Sequence, residues 1–185
     1  MSEAVVKAEK KSPNELVKLT LTLMAISAAC ALLLGLVNSI TAPRILAAQE
    51  AKSKAAMAEV LPASSYEEIP YLDEGSIVLA VYQAADQGYV VKVGPSGFGG
   101  VIEMMVGVGT DGSCTGVSIV KMAETAGLGA NASKEDFRAQ FVGQSGNVAV
   151  TKDGGTIDAL TGATITSRAV ADGVTAALNA VATLG

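Results

Sequence analysis

Between Asp158 and Ser167 the chain reads Asp-Ala-Leu-Thr-Gly-Ala-Thr-Ile-Thr-Ser, and Arg168 follows. Hydroxyls at Thr161, Thr164, Thr166 and Ser167 are crowded there, directly ahead of an apolar helical pattern. The start of a helix presents N–H groups without intrahelical acceptors and the positive end of the helix dipole. Such an end accepts phosphate readily, and Arg168 can add a charge-assisted contact. Ser and Thr in this position more often simply cap the helix. On composition alone, capping is the commoner reading.

A second stretch, Glu124-Thr-Ala-Gly-Leu-Gly129, sets a carboxylate and a hydroxyl beside Gly127 and Gly129. Glycines there let a backbone come close to a ligand, although a connecting turn would look the same. A third, Gly94-Pro-Ser-Gly-Phe-Gly-Gly100, is glycine-rich and precedes a strand-like run. It is open to the same two readings.

The rest of the composition restricts the chemistry. The chain has no His, which excludes a Ser-His-Asp triad, His-ligated haem and His-containing zinc sites. Its two cysteines, Cys30 and Cys114, are too few to hold an iron–sulfur cluster. Electron transfer by this chain would therefore need an organic cofactor. A net charge of −5 argues against nucleic acid as a partner. The Gly-x-Gly-x-x-Gly fingerprint for NAD between a strand and a helix is absent.

The 185 residues suggest one domain plus an additional segment. From Leu16 to Ile40 the chain is apolar, with Lys18 near the start as its one charge. That length exceeds the roughly 20 residues of a membrane-spanning helix, and Lys18 can snorkel to the interface. Pro43 and Arg44 end the run. A cleaved signal has a shorter apolar core. A lipoprotein signal ending at Cys30 would be followed by polar residues, whereas Ala31-Leu-Leu-Leu-Gly-Leu-Val37 follows here. A buried core helix would rarely be apolar for so long. Lys7, Lys10, Lys11 and Lys18 against Arg44, Lys52 and Lys54 weakly favour a cytoplasmic N-terminus. The main domain would then lie outside the cytoplasm, anchored in the cell (inner) membrane with lipid around its span.

Four parts follow: an N-terminal tail 1–15, a span 16–40, a helical linker and connection 41–75, and a domain 76–185. Arg44–Val60 is rich in helix formers, and Leu61-Pro62 ends it. Ser64–Gly75 is expected to be a polar connection. Ile77–Tyr82 and Tyr89–Val93 flank the turn Asp86-Gln87-Gly88. Val101–Val108 and Cys114–Val120 flank Thr110-Asp111-Gly112. Ser133–Phe141 is expected to be a short helix, with Ser133 as N-cap and Asp136 in a capping box. A last helix is expected from about Ser167 to Ala182, with Val170, Val174, Leu178 and Val181 on one face and a Ser or Thr capping it. The fold class is α+β: a mainly antiparallel sheet with helices packed on it. Met104 and Met105 fall on opposite faces of a strand, and Cys114 reads as a buried apolar residue.

Asp158-x-x-Thr161-Gly162-Ala163-Thr164 resembles the Asp-x-x-Ser/Thr-Gly-Ala-Thr motif of covalent FMN-binding domains. The Glu124–Gly129 stretch resembles that family's Glu-Thr-Pro-Gly-Leu-Gly, with Ala126 in place of Pro. Ala123 stands where the family often has His. The whole chain is similar to the G component of the Rnf electron-transport complex, and more distantly to the C component of the sodium-translocating NADH:quinone reductase. The resemblance implies FMN joined by a phosphodiester to Thr164, attached by a separate flavin transferase that uses FAD and Mg²⁺. It makes Thr161, Gly162 and Ala163 the surroundings of that linkage and puts Asp158 in the segment the transferase recognises. Glu124, Thr125, Gly127, Leu128 and Gly129 become candidate contacts to the flavin. The implied function is that of an electron-carrying subunit, not catalytic alone. It would serve a complex that couples electron transfer between ferredoxin and NAD to sodium or proton translocation, with the other subunits as partners. Competing readings are a cofactor-free assembly adaptor and an anchored flavoprotein serving another reductase.

Overall fold

The computed structural model describes residues 13–71 and 76–184. Lys7, Lys10 and Lys11, and the last residues of the expected connection, lie outside that range. Helix α1 runs from Pro13 to Val60. Its apolar part is exposed throughout, and it is the one helix among the described residues that is long and apolar enough to cross a membrane. The hydroxyls of Thr20, Thr22 and Ser39 donate back to the carbonyls of Leu16, Lys18 and Leu36 at 2.9, 2.8 and 2.8 Å. In hydrocarbon those hydroxyls then need no water. Pro43 ends the apolar run but not the helix, which continues through it. The proline omits a single backbone hydrogen bond, the one its missing N–H would make.

The chain from Glu50 onward forms a compact unit of its own. Its sheet contains β1 (Glu67–Ile69), β2 (Val78–Gln83), β3 (Gly88–Val93), β4 (Glu103–Gly109) and β5 (Cys114–Lys121), in that spatial order. Each strand pairs antiparallel with the next. After the sheet come a 3-10 turn (Gly129–Ser133), the short helix α2 (Glu135–Arg138), two further 3-10 turns (Ala139–Phe141 and Thr151–Asp153) and helix α3 (Thr164–Ala182). This is the expected α+β class, and the two hairpins, β2–β3 and β4–β5, turn where the sequence indicates.

Both faces of the sheet are covered, which explains why all but one residue of β4 is buried. On one face Val170, Val174, Leu178 and Val181 of α3 pack with Val91, Val93, Met104 and Val106. Phe137 and Phe141 join them, edge to face with each other, their ring centres 5.4 Å apart. On the other face Ala56, Met57, Val60 and Leu61, at and just past the end of α1, cover Val90, Met105 and Val120. Met104 and Met105 thus point to opposite faces, as expected. Cys114 is buried in the first of these clusters, and burial pushes its thiol up to about 11.

The end of α1 approaches the sheet closely because β4 and β5 carry paired glycines, Gly107 opposite Gly116. A Cβ at Gly107 would lie 2.6 Å from the Val60 carbonyl oxygen and 2.3 Å from Thr115 Oγ1. That Thr115 hydroxyl donates to the Val60 carbonyl at 2.7 Å, closing the last turn of α1 onto the sheet. Glu59 is held beside it. Its carboxylate accepts from Ser118 Oγ at 2.6 Å and from Arg138 Nη1 at 2.7 Å, and the same guanidinium nitrogen donates to the Val117 carbonyl at 2.8 Å. Lys52 donates to the Val120 carbonyl. The Phe141–Gln144 loop pairs with Cys114 through both its N–H and its carbonyl, at 2.8 Å each. These groups answer the outer edge of β5, which would otherwise be open to pairing with another chain.

Three expectations need correction. Part of the stretch read as a polar connection is strand β1, because its residues pair with Val81 to Gln83 and satisfy the edge of β2. Ser133 does not cap a helix reaching Phe141. The chain is already wound in a 3-10 turn up to Ser133, whose hydroxyl turns back to the Ala130 carbonyl at 2.9 Å. The extended residue before α2 is Lys134, so Asp136 has no capping box to complete. Finally, α3 starts at Thr164 rather than near Ser167, and no side chain caps it; Ala163 is at its N-cap.

Two outcomes follow for stability. Gly107→Val forces the α1 end off the sheet, and such overpacking costs about 1–3 kcal/mol. Denaturant titration followed by circular dichroism should show that loss, with a smaller effect for Ala at Gly116, where the nearest atom is at 3.3 Å. The hydrogen bonds from Ser118 and Arg138 hold the Glu59 carboxyl below its ordinary value of 4.5. A depressed folded-state value means stability that is full above about pH 4.5 and lost as pH falls through the lower folded value. Glu59→Gln should therefore weaken the domain at about pH 7 and flatten the acid limb of its stability curve.

Candidate functional site

Three segments converge at the start of α3. The loop Gly97–Gly100 precedes β4, the loop Glu124–Gly129 follows β5, and Thr161–Ala163 leads into the helix. Glu124 ties them together. One carboxylate oxygen accepts from the Gly99 N–H at 2.9 Å, and the other accepts from the Thr166 hydroxyl at 2.7 Å. Thr166 is buried, and this bond is what satisfies it. The fit leaves no space for a side chain at Gly129, where a Cβ would lie 2.6 Å from Glu124 Oε2 and 2.7 Å from Thr166 Oγ1. The Leu128 and Ala130 N–H groups both bond the Thr125 carbonyl at 3.1 Å, which turns the loop and lays Leu128 over Gly162. Gly162 itself has φ 73°, a conformation that favours glycine.

The cleft enclosed by these segments has a volume of about 380 Å³. That falls within the roughly 300–1,000 Å³ usual for small-molecule sites. Phe98, Glu124, Thr125, Leu128, Gly129 and Gly162 to Thr166 line it. The lining is mostly apolar, and three of its large side chains remain exposed: Phe98 by 70%, Ile165 by 52% and Leu128 by 45%. Apolar groups of that size gain from being covered.

Thr164 is the first residue of α3 and half-buried at the cleft wall. The hydroxyls expected to cap the helix are engaged elsewhere. Thr166 donates to Glu124, and Ser167 accepts from the Leu160 N–H at 2.9 Å while donating to the Ala163 carbonyl at 3.0 Å. The first turn is left without a side-chain cap, beside the Thr164 hydroxyl. Lys152 Nζ donates to that hydroxyl at 3.2 Å. Arg168, one turn further along, is committed to Asp153 by two bonds of 2.6 and 2.7 Å. The hydrogen bond from Arg168 holds the Asp153 carboxyl below its usual range, and the same bond raises the guanidinium.

Most of the residues singled out from the sequence meet here. Glu124, Thr125, Leu128, Gly129, Gly162, Ala163 and Thr164 all line the cleft. Gly127 and Thr161 flank the lining on exposed turns. Asp158 is also exposed and outside the cleft; its N–H donates to Gln140 Oε1 at 2.7 Å. Arg168 is not free for a phosphate, contrary to expectation, because Asp153 takes two nitrogens of its guanidinium. Sequence reasoning missed Lys152, which lies in a polar turn with no periodicity to mark it. It also missed the role of Thr166, although Thr166 falls one turn before Val170 on the buried stripe, where a hydroxyl must have a partner.

The donor set suits a flavin mononucleotide. An uncapped helix end and a lysine match a phosphate, and the apolar cleft matches a flat aromatic ring. Comparison with known proteins agrees with that fit. Residues 97–179 match the FMN-binding domain family, and residues 10–60 match the RnfG N-terminal region. The chain is 36% identical to the G component of the ion-translocating oxidoreductase complex of Methanosarcina acetivorans, over 91% of this chain and 95% of that protein. It is 39% identical to the G component of the Na(+)-translocating ferredoxin:NAD(+) oxidoreductase complex of Acetobacterium woodii, over 85% and 87% of the two chains. It is 48% identical, over 51% of this chain and 54% of that protein, to the G component of the proton-translocating ferredoxin:NAD(+) oxidoreductase complex of Clostridium ljungdahlii. A membrane anchor and an FMN-binding domain are thus joined in a chain that belongs to the RnfG family, the G components of the ion-translocating oxidoreductase (Rnf) complexes.

Proposed function

We propose that this chain is an electron-carrying subunit of a membrane complex that moves electrons between ferredoxin and NAD and drives sodium ions or protons across the membrane. FMN is joined to Thr164 by a phosphodiester. The observation that carries this reading is the Thr164 hydroxyl, placed at an uncapped helix start on the wall of an apolar cleft. In the attachment step Thr164 Oγ1 forms a bond to phosphorus and gives up its proton. The pyrophosphate bond of FAD breaks, and AMP leaves with the bonding electrons. A separate flavin transferase performs this step with Mg²⁺. Asp158, exposed beside the motif, belongs to the surface that this enzyme reads.

Once attached, the flavin supplies one- or two-electron chemistry, and the chain's residues position it. The free N–H groups of the α3 start receive the phosphate. Phe98, Leu128 and Ile165 cover the ring. Glu124, with both oxygens engaged, acts as a clamp that holds the three segments in place, and it stands in the cleft lining as a candidate flavin contact. Thr125, on the cleft wall beside it, remains a candidate polar contact. Gly127 lets the loop turn, and Gly129 gives the clamp its room. Thr161, Gly162 and Ala163 form the approach to Thr164.

The domain lies outside the cytoplasm and the N-terminus inside, following the lysines ahead of the span. Covalent attachment suits that side, where lost FMN is not readily replaced. The apolar part of α1 has no charge near its middle and so offers no ion path; translocation belongs to the other subunits.

The test is in-gel flavin fluorescence after denaturation, with an active flavin transferase co-expressed. Wild type should give a fluorescent band, and Thr164→Val, which keeps the branched shape without the hydroxyl, should give none. Equal fluorescence in both would place the linkage elsewhere. A dark wild type would favour a cofactor-free adaptor.

A further inference from the structure

We propose that Lys152 is the counter-ion of the phosphodiester at Thr164, and that the Asp153–Arg168 ion pair is the brace that sets it there. This rests on the reading of Thr164 as the flavin-bearing residue. Lys152 Nζ already donates to Thr164 Oγ1, the atom to be joined to phosphorus. A phosphodiester carries one full negative charge on two oxygens attached to that phosphorus. The ammonium is therefore within reach of an ionised acceptor in place of the neutral hydroxyl it now meets, so that both partners of the bond would carry charge.

Arg168 is the residue that position and type would nominate, since it follows Thr164 by one turn on the same side of α3. Its guanidinium is bound at two nitrogens to Asp153. That pairing gives Arg168 a different task. Asp153 is next to Lys152 in the 3-10 turn Thr151–Asp153. The turn is also fixed at its base, where Val150 bridges Ile157 and the Thr151 N–H bonds the Ile157 carbonyl at 2.8 Å. Held at both ends, the turn directs Lys152 at Thr164. Lys152, Asp153 and Arg168 together carry one positive charge in excess, which one phosphodiester cancels. A lysine acts here as a point charge, so it needs no fixed fork geometry to meet either oxygen.

The test uses full-length protein in detergent, made with an active flavin transferase. It compares wild type, Lys152→Gln, Lys152→Arg and the exposed control Lys54→Gln. Loading is read by intact mass during a time course, and the attached phosphate by its phosphorus-31 resonance. Wild type and Lys54→Gln should share one phosphodiester resonance. In Lys152→Gln that resonance should move and loading should slow by roughly tenfold, the scale of one charge-assisted hydrogen bond. Lys152→Arg should restore most of the loading rate. A folded Lys152→Gln that does not load at all, beside an Arg variant that does, supports the same assignment, because charge is what the two differ by. Failure of both variants to load overturns it in favour of recognition by the transferase. An unchanged resonance and unchanged loading in Lys152→Gln overturn it while leaving Thr164 as the linkage. Absence of any phosphodiester in wild type overturns both readings.

Discussion

A helix that begins without a cap leaves several N–H groups and its positive dipole end unanswered. The start of α3 is such a helix, although Thr and Ser stand at three of its first four positions. Each of those hydroxyls is directed elsewhere: Thr166 to Glu124, Ser167 to the chain around Leu160 and Ala163, and Thr164 toward Lys152. The arrangement removes the groups that would quiet the helix end and leaves the half-buried Thr164 hydroxyl beside it. The other features of the cleft follow from keeping that end open and in place.

Glu124 is the main means of doing so. Its two oxygens connect a loop ahead of β4 with the first turn of α3, and the glycine at 129 gives the carboxylate its room. Beneath the site, α3 is fixed by a stripe of Val and Leu against a sheet whose opposite face is filled by the end of α1. Covering both faces removes solvent from β4 almost entirely. Rigid elements of this kind hold a site more firmly than loops alone. The polar ties at the edge of β5, from Arg138 and Lys52 to the Val117 and Val120 carbonyls, keep the sheet from offering that edge to another chain.

Much of this is legible in the residues. Apolar, β-branched runs between turn signals mark four of the five strands, and a spacing of about four marks the buried face of α3. The run of apolar residues marks the anchor. Strand β1 is three residues long and mostly polar, so no period reveals it. The start of α3 lies earlier than its apolar pattern indicates because Thr164 to Thr166 are weak helix formers, and packing against the clamp overrides that preference. Ser133 misleads because a 3-10 turn precedes α2, and capping patterns do not distinguish the two kinds of turn. In the site, the motif around Thr164 and the stretch around Glu124 each point to the cleft, but their connection through Thr166 depends on tertiary contact. Arg168 looks like a phosphate ligand by type and position. Asp153, far enough away in sequence to be silent, decides otherwise.

Peptide mass mapping would locate the proposed flavin linkage at Thr164. Trypsin should release Asp153–Arg168 from the mature protein as one peptide that holds Thr156, Thr161, Thr164, Thr166 and Ser167. The proposed linkage requires a peptide heavier by one FMN less one water, with fragment ions that put the added mass on Thr164 alone. An unmodified peptide from flavin-bearing protein, or added mass on any of the other four hydroxyls, would contradict it.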